Sequence, residues 1–239
     1  MEFTENAFER RARKIHRYLR TDVRFNEKLL RRPYLFELTG TPSAGKTTTI
    51  TELDKFFRRM GFRVLRPQEG AEVIRHIERT TPIYNVRTAT YALNLLIDLA
   101  HGHQYDIVLF DRCLFDAYHW MMYWQEKGKL TPEQAKTYQS FFLAPLWTDF
   151  LDGAYFLICE PEEAMKRELK IALSKKLGET TNPETIRILV ERYRRAFGNL
   201  KNRFPQLTLL ETTRLDEKTM VEHVACEMLD TMERKTTAR

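Results

Sequence analysis

The chain has 239 residues, 43% hydrophobic and 30% charged, which suits one globular α/β domain with a full core and is short for two. No apolar run reaches the length of a membrane span and the N-terminus lacks the apolar stretch of a signal peptide, so a cytoplasmic protein is expected. Cys113, Cys159 and Cys226 are odd in number, widely spaced and without a C-x-x-C pair, which argues against a disulfide framework or zinc site and for buried reduced thiols.

The net charge of +6 is concentrated at the start of the chain. Up to residue 32 the basic residues Arg10, Arg11, Arg13, Lys14, Arg17, Arg20, Arg24, Lys28, Arg31 and Arg32 face five acidic ones, which leaves +5 there. Phe8, Ala12, Ile15 and Leu19 fall on one helical stripe. Residues 1–32 therefore read as a basic amphipathic helical extension docked on a body of residues 33–239. Its charges suit contact with a nucleic acid or an acidic protein, and equally a solvated helix face.

Residues 34–38 form a short, mostly apolar strand. They lead into Gly40-Thr41-Pro42-Ser43-Ala44-Gly45-Lys46-Thr47, which has the phosphate-loop spacing G-x-x-x-x-G-K-[ST]. Triphosphate oxygens need many donors at close range, and the glycines let successive backbone N–H groups turn toward the anion. This loop together with Thr48 is thus the expected ATP site, with Lys46 on the β- and γ-phosphates and the Thr47 hydroxyl on Mg²⁺. Ile50, Leu53, Phe57 and Met60 then recur at helical spacing until Gly61, which puts a helix N-terminus under the phosphates.

A second strand is expected at 62–65, ending in Arg66-Pro67-Gln68-Glu69-Gly70, with helices at 71–79 and 86–101 and a loop at His101-Gly102-His103. Residues 105–110 read as a buried strand delivering Asp111 and Arg112 at its carboxyl end. An aromatic helical segment follows, and Thr131-Pro132-Glu133-Gln134 starts a helix running toward Trp147. A fourth strand at 154–159 precedes a lysine-rich helix opened by Pro161, broken at 178–183. Ile186, Leu189, Val190, Tyr193 and Phe197 mark another amphipathic helix, 207–210 a fifth strand, and Asp216 the cap of the last helix. Alternation of strands and helices predicts an α/β fold: a three-layer P-loop NTPase architecture with a five-stranded parallel sheet, helices on both faces and a helical lid at about 166–182. Ligands should gather at the strands' carboxyl ends.

Asp111 stands where a second magnesium-side carboxylate belongs, so Thr47 and Asp111 are the expected metal residues. Arg112 has the planar fork that clamps a phosphate. Glu69 is either a carboxylate that takes a proton from an acceptor hydroxyl or a surface turn residue. Arg66, Arg75 and Arg87 could hold an anionic acceptor, or be solvated. Lys166, Arg167 and Lys170 can share one helix face, with Lys175 and Lys176 beyond, as a cationic lid or as a solvated face. Tyr118, Trp120, Tyr123 and Trp124 suit stacking on a base, though aromatics at helical spacing are more often core.

The segment 40–48, Glu69, Asp111-Arg112 and residues 161–167 together resemble the thymidylate kinase and deoxynucleoside kinase group of P-loop kinases, from about residue 33 to the end. Glu72-Val73-Ile74-Arg75 and Ala117-Tyr118 are similar to further stretches of thymidylate kinases, whereas Thr39 and Pro42 stand where the group usually carries acidic residues. The resemblance implies a Mg²⁺-dependent phosphotransferase that moves the γ-phosphoryl of ATP to a nucleoside or nucleoside monophosphate. Lys46, Glu69, Asp111, Arg112, Arg167 and Lys170 would be its catalytic residues, and Arg66, Glu69, Arg75, Arg87 and Tyr118 would contact the acceptor. Two alternatives stay open: a kinase of RNA, DNA or another larger acceptor recruited by the basic helix, and a non-catalytic ATP-driven switch in a complex. The lack of a guanine-specifying Asn-Lys-x-Asp stretch favours ATP over GTP, no membrane partner is expected, and a homodimer is left open.

Overall fold

The computed structural model describes residues 6–25, 32–171 and 181–237. In chain order these form α1 (Ala7–Phe25), β1 (Tyr34–Gly40), α2 (Lys46–Arg59), β2 (Val64–Leu65), α3 (Gly70–Val73), α4 (Pro82–Ala100) and β3 (Ile107–Asp111). There follow α5 (Leu114–Glu126), α6 (Pro132–Phe142), α7 (Pro145–Thr148), β4 (Gly153–Ile158), α8 (Pro161–Ile171), α9 (Pro183–Leu200), β5 (Leu207–Glu211) and α10 (Glu217–Thr237). The strands lie in the order β2-β3-β1-β4-β5, all parallel. This is the expected fold class.

The sheet is buried on both faces, which is why its strands read as nearly continuous apolar runs. On one face α2 and α10 pack together with α1 outside them; on the other, α5 and α9 cover the sheet and α4 and α6 pack on α5. The chain leaves central β1 in one direction toward β3 and later returns on the other side through β4. The loops after β1 and β3 therefore open a crevice at the carboxyl edge. Register sets Leu38 opposite Asp111 and Gly40 opposite Leu157, so the phosphate loop and the Asp111 turn leave the sheet side by side.

Several element boundaries differ from expectation. The second strand shrinks from 62–65 to Val64–Leu65, an edge strand in which Phe62 is core without pairing. The helix expected over 71–79 ends at Val73, because Ile74 turns extended (φ −93°, ψ 93°) to bury its side chain. The next helix begins at Pro82, four residues early, since Thr81 caps it and Pro82 takes the first helical position. The helix running toward Trp147 splits into α6 and α7, as Pro145 cannot continue a helix and starts a new one.

Arg11 of α1 reaches α10, with Nη2 2.5 Å from Asp230 and Nε donating to Glu233 at 2.9 Å, while Ala12 and Ile15 bury against the core. Arg20 pairs with Asp106 at 2.8 Å, and Arg32 with the fully buried Asp152 at 2.8 Å. Arg11, Arg20 and Arg32 of the N-terminal run thus bind within the chain, and the side chains of Arg10, Arg13, Lys14 and Arg17 are solvent-exposed. The side chain of Arg24, and Lys28 and Arg31, lie outside the described residues, as do Lys175, Lys176 and the rest of 172–180. Cys113 and Cys159 are buried free thiols, whereas Cys226 is only half-buried. No helix among the described residues is long and apolar enough to cross a membrane.

Candidate active site

Between β1 and α2 the chain makes a tight turn with two glycines at positive φ. Gly40 sits at φ 140°, and a Cβ there would lie 1.8 Å from the Leu157 carbonyl oxygen, so only glycine fits beside β4. Gly45 precedes α2 at φ 92°, a conformation that side chains rarely adopt, with the end of the Met220 side chain of α10 against it. Lys46 opens the helix and is buried. Its Nζ donates to the carbonyls of Gly40 at 3.2 Å and Thr41 at 2.8 Å. Burial, with Arg112 adding repulsion, lowers its pKa to about 8 against the pull of Asp111, Asp116 and Glu69. The Thr47 hydroxyl donates to Asp111 Oδ2 at 3.2 Å, while Asp111 Oδ1 is buried without a hydrogen-bond partner among the described residues. Thr41 Oγ1 accepts from the Cys159 amide at 3.1 Å and ties the loop to the end of β4.

The other residues expected at the ATP site divide by depth. Ala44 is buried in the core, and Pro42 and Ser43 are half-buried on the outer turn of the loop. Thr48 is half-buried in the first turn of α2, two residues after Lys46. That position suits its backbone amide to an anion, since the first amides of a helix point out of its N-terminus. The Thr48 side chain does not belong to the cluster formed by Thr47 and Asp111: a one-residue step turns it about 100° around the helix.

Beside the loop an arginine is held between two carboxylates. Arg112 Nη1 donates to Asp116 Oδ1 at 2.7 Å and its Nε lies 3.2 Å from Glu69 Oε1. The backbone at Arg112 is left-handed (φ 66°), a conformation that costs a bulky residue roughly 1–3 kcal/mol. Glu37 opposes that cost. From the middle of β1 its carboxylate accepts the amides of Cys113 at 2.9 Å, Phe115 at 3.1 Å and Asp116 at 2.9 Å, closing the N-terminus of α5 directly after the turn. Each such bond contributes about 1 kcal/mol or more, and the helix dipole favours the anion. Burial nevertheless pushes the Glu37 carboxyl up to about 7, against the pull of those amides.

Asp116 carries more than Arg112. Its Oδ1 also accepts the hydroxyls of Thr39 at 2.5 Å and Tyr193 at 2.7 Å. Burial pushes this carboxyl up, but Arg112, His119 and the two hydroxyls outweigh burial and hold it below the ordinary carboxylate range. Burial raises Glu69, with Arg112 pulling the other way.

A cavity of about 680 Å³ opens from this cluster. Glu69, Asp111, Arg112 and Asp116 line it, together with Tyr84 and Asn85 of α4 and Trp120, Tyr123 and Trp124 of α5. The last three are wall residues, where their spacing favours core. Tyr118 is not on the wall: it packs against the core, and its hydroxyl accepts from Asn199 at 3.4 Å. Two larger open hollows, of about 930 and 730 Å³, lie at the base of α8 and between α1 and α10, and neither touches the phosphate loop.

The remaining expected site residues are dispersed. Arg66 lies 4.0 Å from Asp54, Arg75 is exposed and donates to the Glu72 carbonyl, and Arg87 is half-buried; none of the three lines the cavity. Arg167 pairs with Glu163 at 3.0 Å and donates to the carbonyls of Thr212 at 2.7 Å and Leu215 at 3.2 Å, fastening α8 to the turn after β5. Lys166 and Lys170 are exposed. The α8 side chain that meets the phosphate loop is acidic: Glu168 accepts the Ser43 hydroxyl at 2.8 Å.

Glu37, Asp116, Tyr193 and Glu168 escape a reading by motif. Glu37 alone leaves a signal, a charged residue inside an apolar strand. No group of three or more His, Cys, Asp or Glu among the described residues could hold a metal ion, so a metal here would draw part of its ligand set from outside those residue types.

Residues 35–172 match the protein family described as AAA domain. A search of curated proteins finds no match. Among solved structures, the chain is similar to deoxyadenosine kinase from M. mycoides with the products dCMP and a flexible dCDP bound. Identity is 18%, the TM-score 0.58, and the match covers 82% of this chain and 99% of that one. The same enzyme with bound dATP gives 18% identity and a TM-score of 0.57, covering 82% and 98%. Thymidylate kinase from Candida albicans gives 12% and 0.53, covering 85% and 94%. At these identities the likeness is one of fold, and in fold the resemblance to the deoxynucleoside and thymidylate kinase group holds.

Proposed function

The chain belongs to the AAA domain family, and from that premise we propose that it is a kinase moving the γ-phosphoryl of ATP to a hydroxyl of a nucleoside-like acceptor. One observation carries the reading: the Arg112–Glu69 pair, 3.2 Å apart, stands between the phosphate loop and an aromatic-walled cavity large enough for a nucleoside. A bare nucleotide switch would need no such second chamber.

ATP would seat its phosphates on the amides of residues 40–48, at the N-terminus of α2. Lys46 would exchange the carbonyls of Gly40 and Thr41 for the β- and γ-phosphate oxygens. Mg²⁺ fits the residues present: a hydroxyl at Thr47, a carboxylate at Asp111 with one buried oxygen unpaired, and phosphate oxygens for the rest. When bound, the ion would neutralise charge that develops on the transferred group.

Glu69 would accept the proton of the attacking hydroxyl, and its burial-raised pKa makes it a better base than a solvated glutamate. Arg112, pinned by Asp116 and Tyr193, would present its fork to the phosphoryl group in flight. A carboxylate at the reacting end repels a second anion, so the site favours an uncharged nucleoside over a nucleoside monophosphate. Positioning and charge neutralisation would supply most of the rate.

The test is γ-labelled ATP with Mg²⁺ offered in parallel to nucleosides, nucleoside monophosphates and RNA. Label on a nucleoside supports the proposal. Label on RNA alone, or tight ATP binding with label on no acceptor, overturns it.

A further inference from the structure

Away from the Arg112 cluster, the cavity wall holds a polar group whose orientation the fold fixes. Asn85 stands in the first turn of α4, behind the Thr81 cap, and is 8% exposed. Its Oδ1 accepts the indole Nε1–H of Trp124 at 2.7 Å. An indole N–H can only donate, so a flipped carboxamide would set NH₂ against N–H. The oxygen is therefore committed to Trp124, and the amide nitrogen, which has no hydrogen-bond partner among the described residues, is left as the group the cavity can use.

Trp124 is in turn held by burial on α5, with its ring edge-on to Tyr123 at 4.8 Å. The lock is thus built from two packed elements rather than from a surface side chain. A donor that a ligand covers without meeting loses its water and is costly. A ligand that brings an acceptor to it gains, and one that brings another donor loses twice.

We propose that Asn85, oriented by Trp124, is a specificity-determining residue: the cavity takes rings whose edge carries an oxo group in preference to those with an exocyclic amine there. The inference rests on the cavity being the acceptor site. Trp120 and Tyr123 are aromatic wall residues, and stacking on an aromatic ring does not discriminate between bases. The buried Tyr84 hydroxyl, also without a partner among the described residues, can donate or accept and so does not discriminate either. Arg79 and Lys127 also line the cavity as donors, on long rotatable stems, whereas the Asn85 donor is fixed in place by Trp124.

Two matched pairs that hold ring size constant test it: deoxyuridine against deoxycytidine, and deoxyinosine against deoxyadenosine. The wild-type protein should show kcat/KM at least about tenfold higher for the oxo member of each pair. Asn85→Asp keeps an oxygen for Trp124 and turns the free donor into an acceptor, so the preference should reverse; a merely structural role would lower all four rates together. Equal or amino-favouring ratios in the wild type, or an unchanged ratio in a folded Asn85→Asp variant, would overturn the inference. If none of the four is phosphorylated, the kinase reading fails separately. Calorimetric binding of the same nucleosides then decides: an oxo preference upholds the role of Asn85, and equal affinities or no binding reject it.

Discussion

The Ser43 hydroxyl, at a left-handed turn (φ 55°) of the phosphate loop, donates to Glu168 of α8 at 2.8 Å. A carboxylate at the mouth of an anion site opposes the anion, and ATP has to displace it. Glu168→Gln should therefore lower the Kd for ATP several-fold, by about 1 kcal/mol, with the gain shrinking as salt screens the charge. Titration of both proteins with a fluorescent ATP analogue at low and high salt reads this directly. Weaker binding by the variant would mean that Glu168 serves the nucleotide instead of opposing it.

Lys46 gives a pH signature. Its folded pKa of about 8 lies below the ordinary 10.5, so between those values the unfolded chain holds a proton that the folded chain has released. Stability from this group accordingly rises with pH across that window, at up to about 1.4 kcal/mol per unit. ATP affinity should move the opposite way and fall above about pH 8, because the phosphates need the cation. Lys46→Met should flatten both trends, as measured by denaturant titration and nucleotide binding from pH 7 to 10.

Asp116 holds the Arg112 guanidinium at 2.7 Å. Asp116→Asn keeps the shape but weakens the hold on a guanidinium that the turn already strains. Turnover should drop on the order of 10²-fold while the Kd for ATP stays within a few-fold. Equal losses in both would show that the change disrupts the phosphate loop itself.

His119 is buried, stacked on Tyr193 with centroids 3.7 Å apart, and has no hydrogen-bond partner among the described residues. Burial, with Arg112, Arg192 and Arg195 adding to it and Asp116 opposing, drops its pKa to about 3. The unfolded chain takes up this proton below pH 6.5, so stability from this group falls as pH is lowered from 6.5 toward 3. His119→Phe keeps the stack, and its stability relative to wild type should improve steadily as pH falls through that range. The contribution of Glu37, present in both proteins, cancels in the difference. A difference independent of pH would mean that the imidazole finds a partner in solution.

What the sequence made legible was local. The phosphate loop is a contiguous pattern with a fixed geometric purpose, and the apolar run ending at Asp111 could be placed on a strand end beside it. The cluster around Arg112 was not legible, because Glu37, Thr39, Asp116 and Tyr193 come from β1, α5 and α9 and meet only once those elements pack. Aromatics at helical spacing look the same whether they face a core or a cavity, so spacing leaves Trp120 and Trp124 open between packing and stacking and favours packing. The charge of α8 drew attention to Arg167, yet its neighbour Glu168 is the one that turns to the loop, since a one-residue step rotates a helical side chain by about 100°. Arg66, Arg75 and Arg87 were grouped by nearness in sequence, which the extended turn at Ile74 and the early start of α4 undo.

The central claim is that a γ-phosphoryl crosses from the loop at Lys46 to a hydroxyl beside Glu69. Phosphorus NMR of the protein with ATP, Mg²⁺ and deoxyuridine tests it most directly. The account predicts a nucleoside monophosphate resonance growing in step with ADP, lost in Lys46→Ala and strongly slowed in Glu69→Gln. ADP appearing with inorganic phosphate alone, or transfer that survives Lys46→Ala, would contradict it.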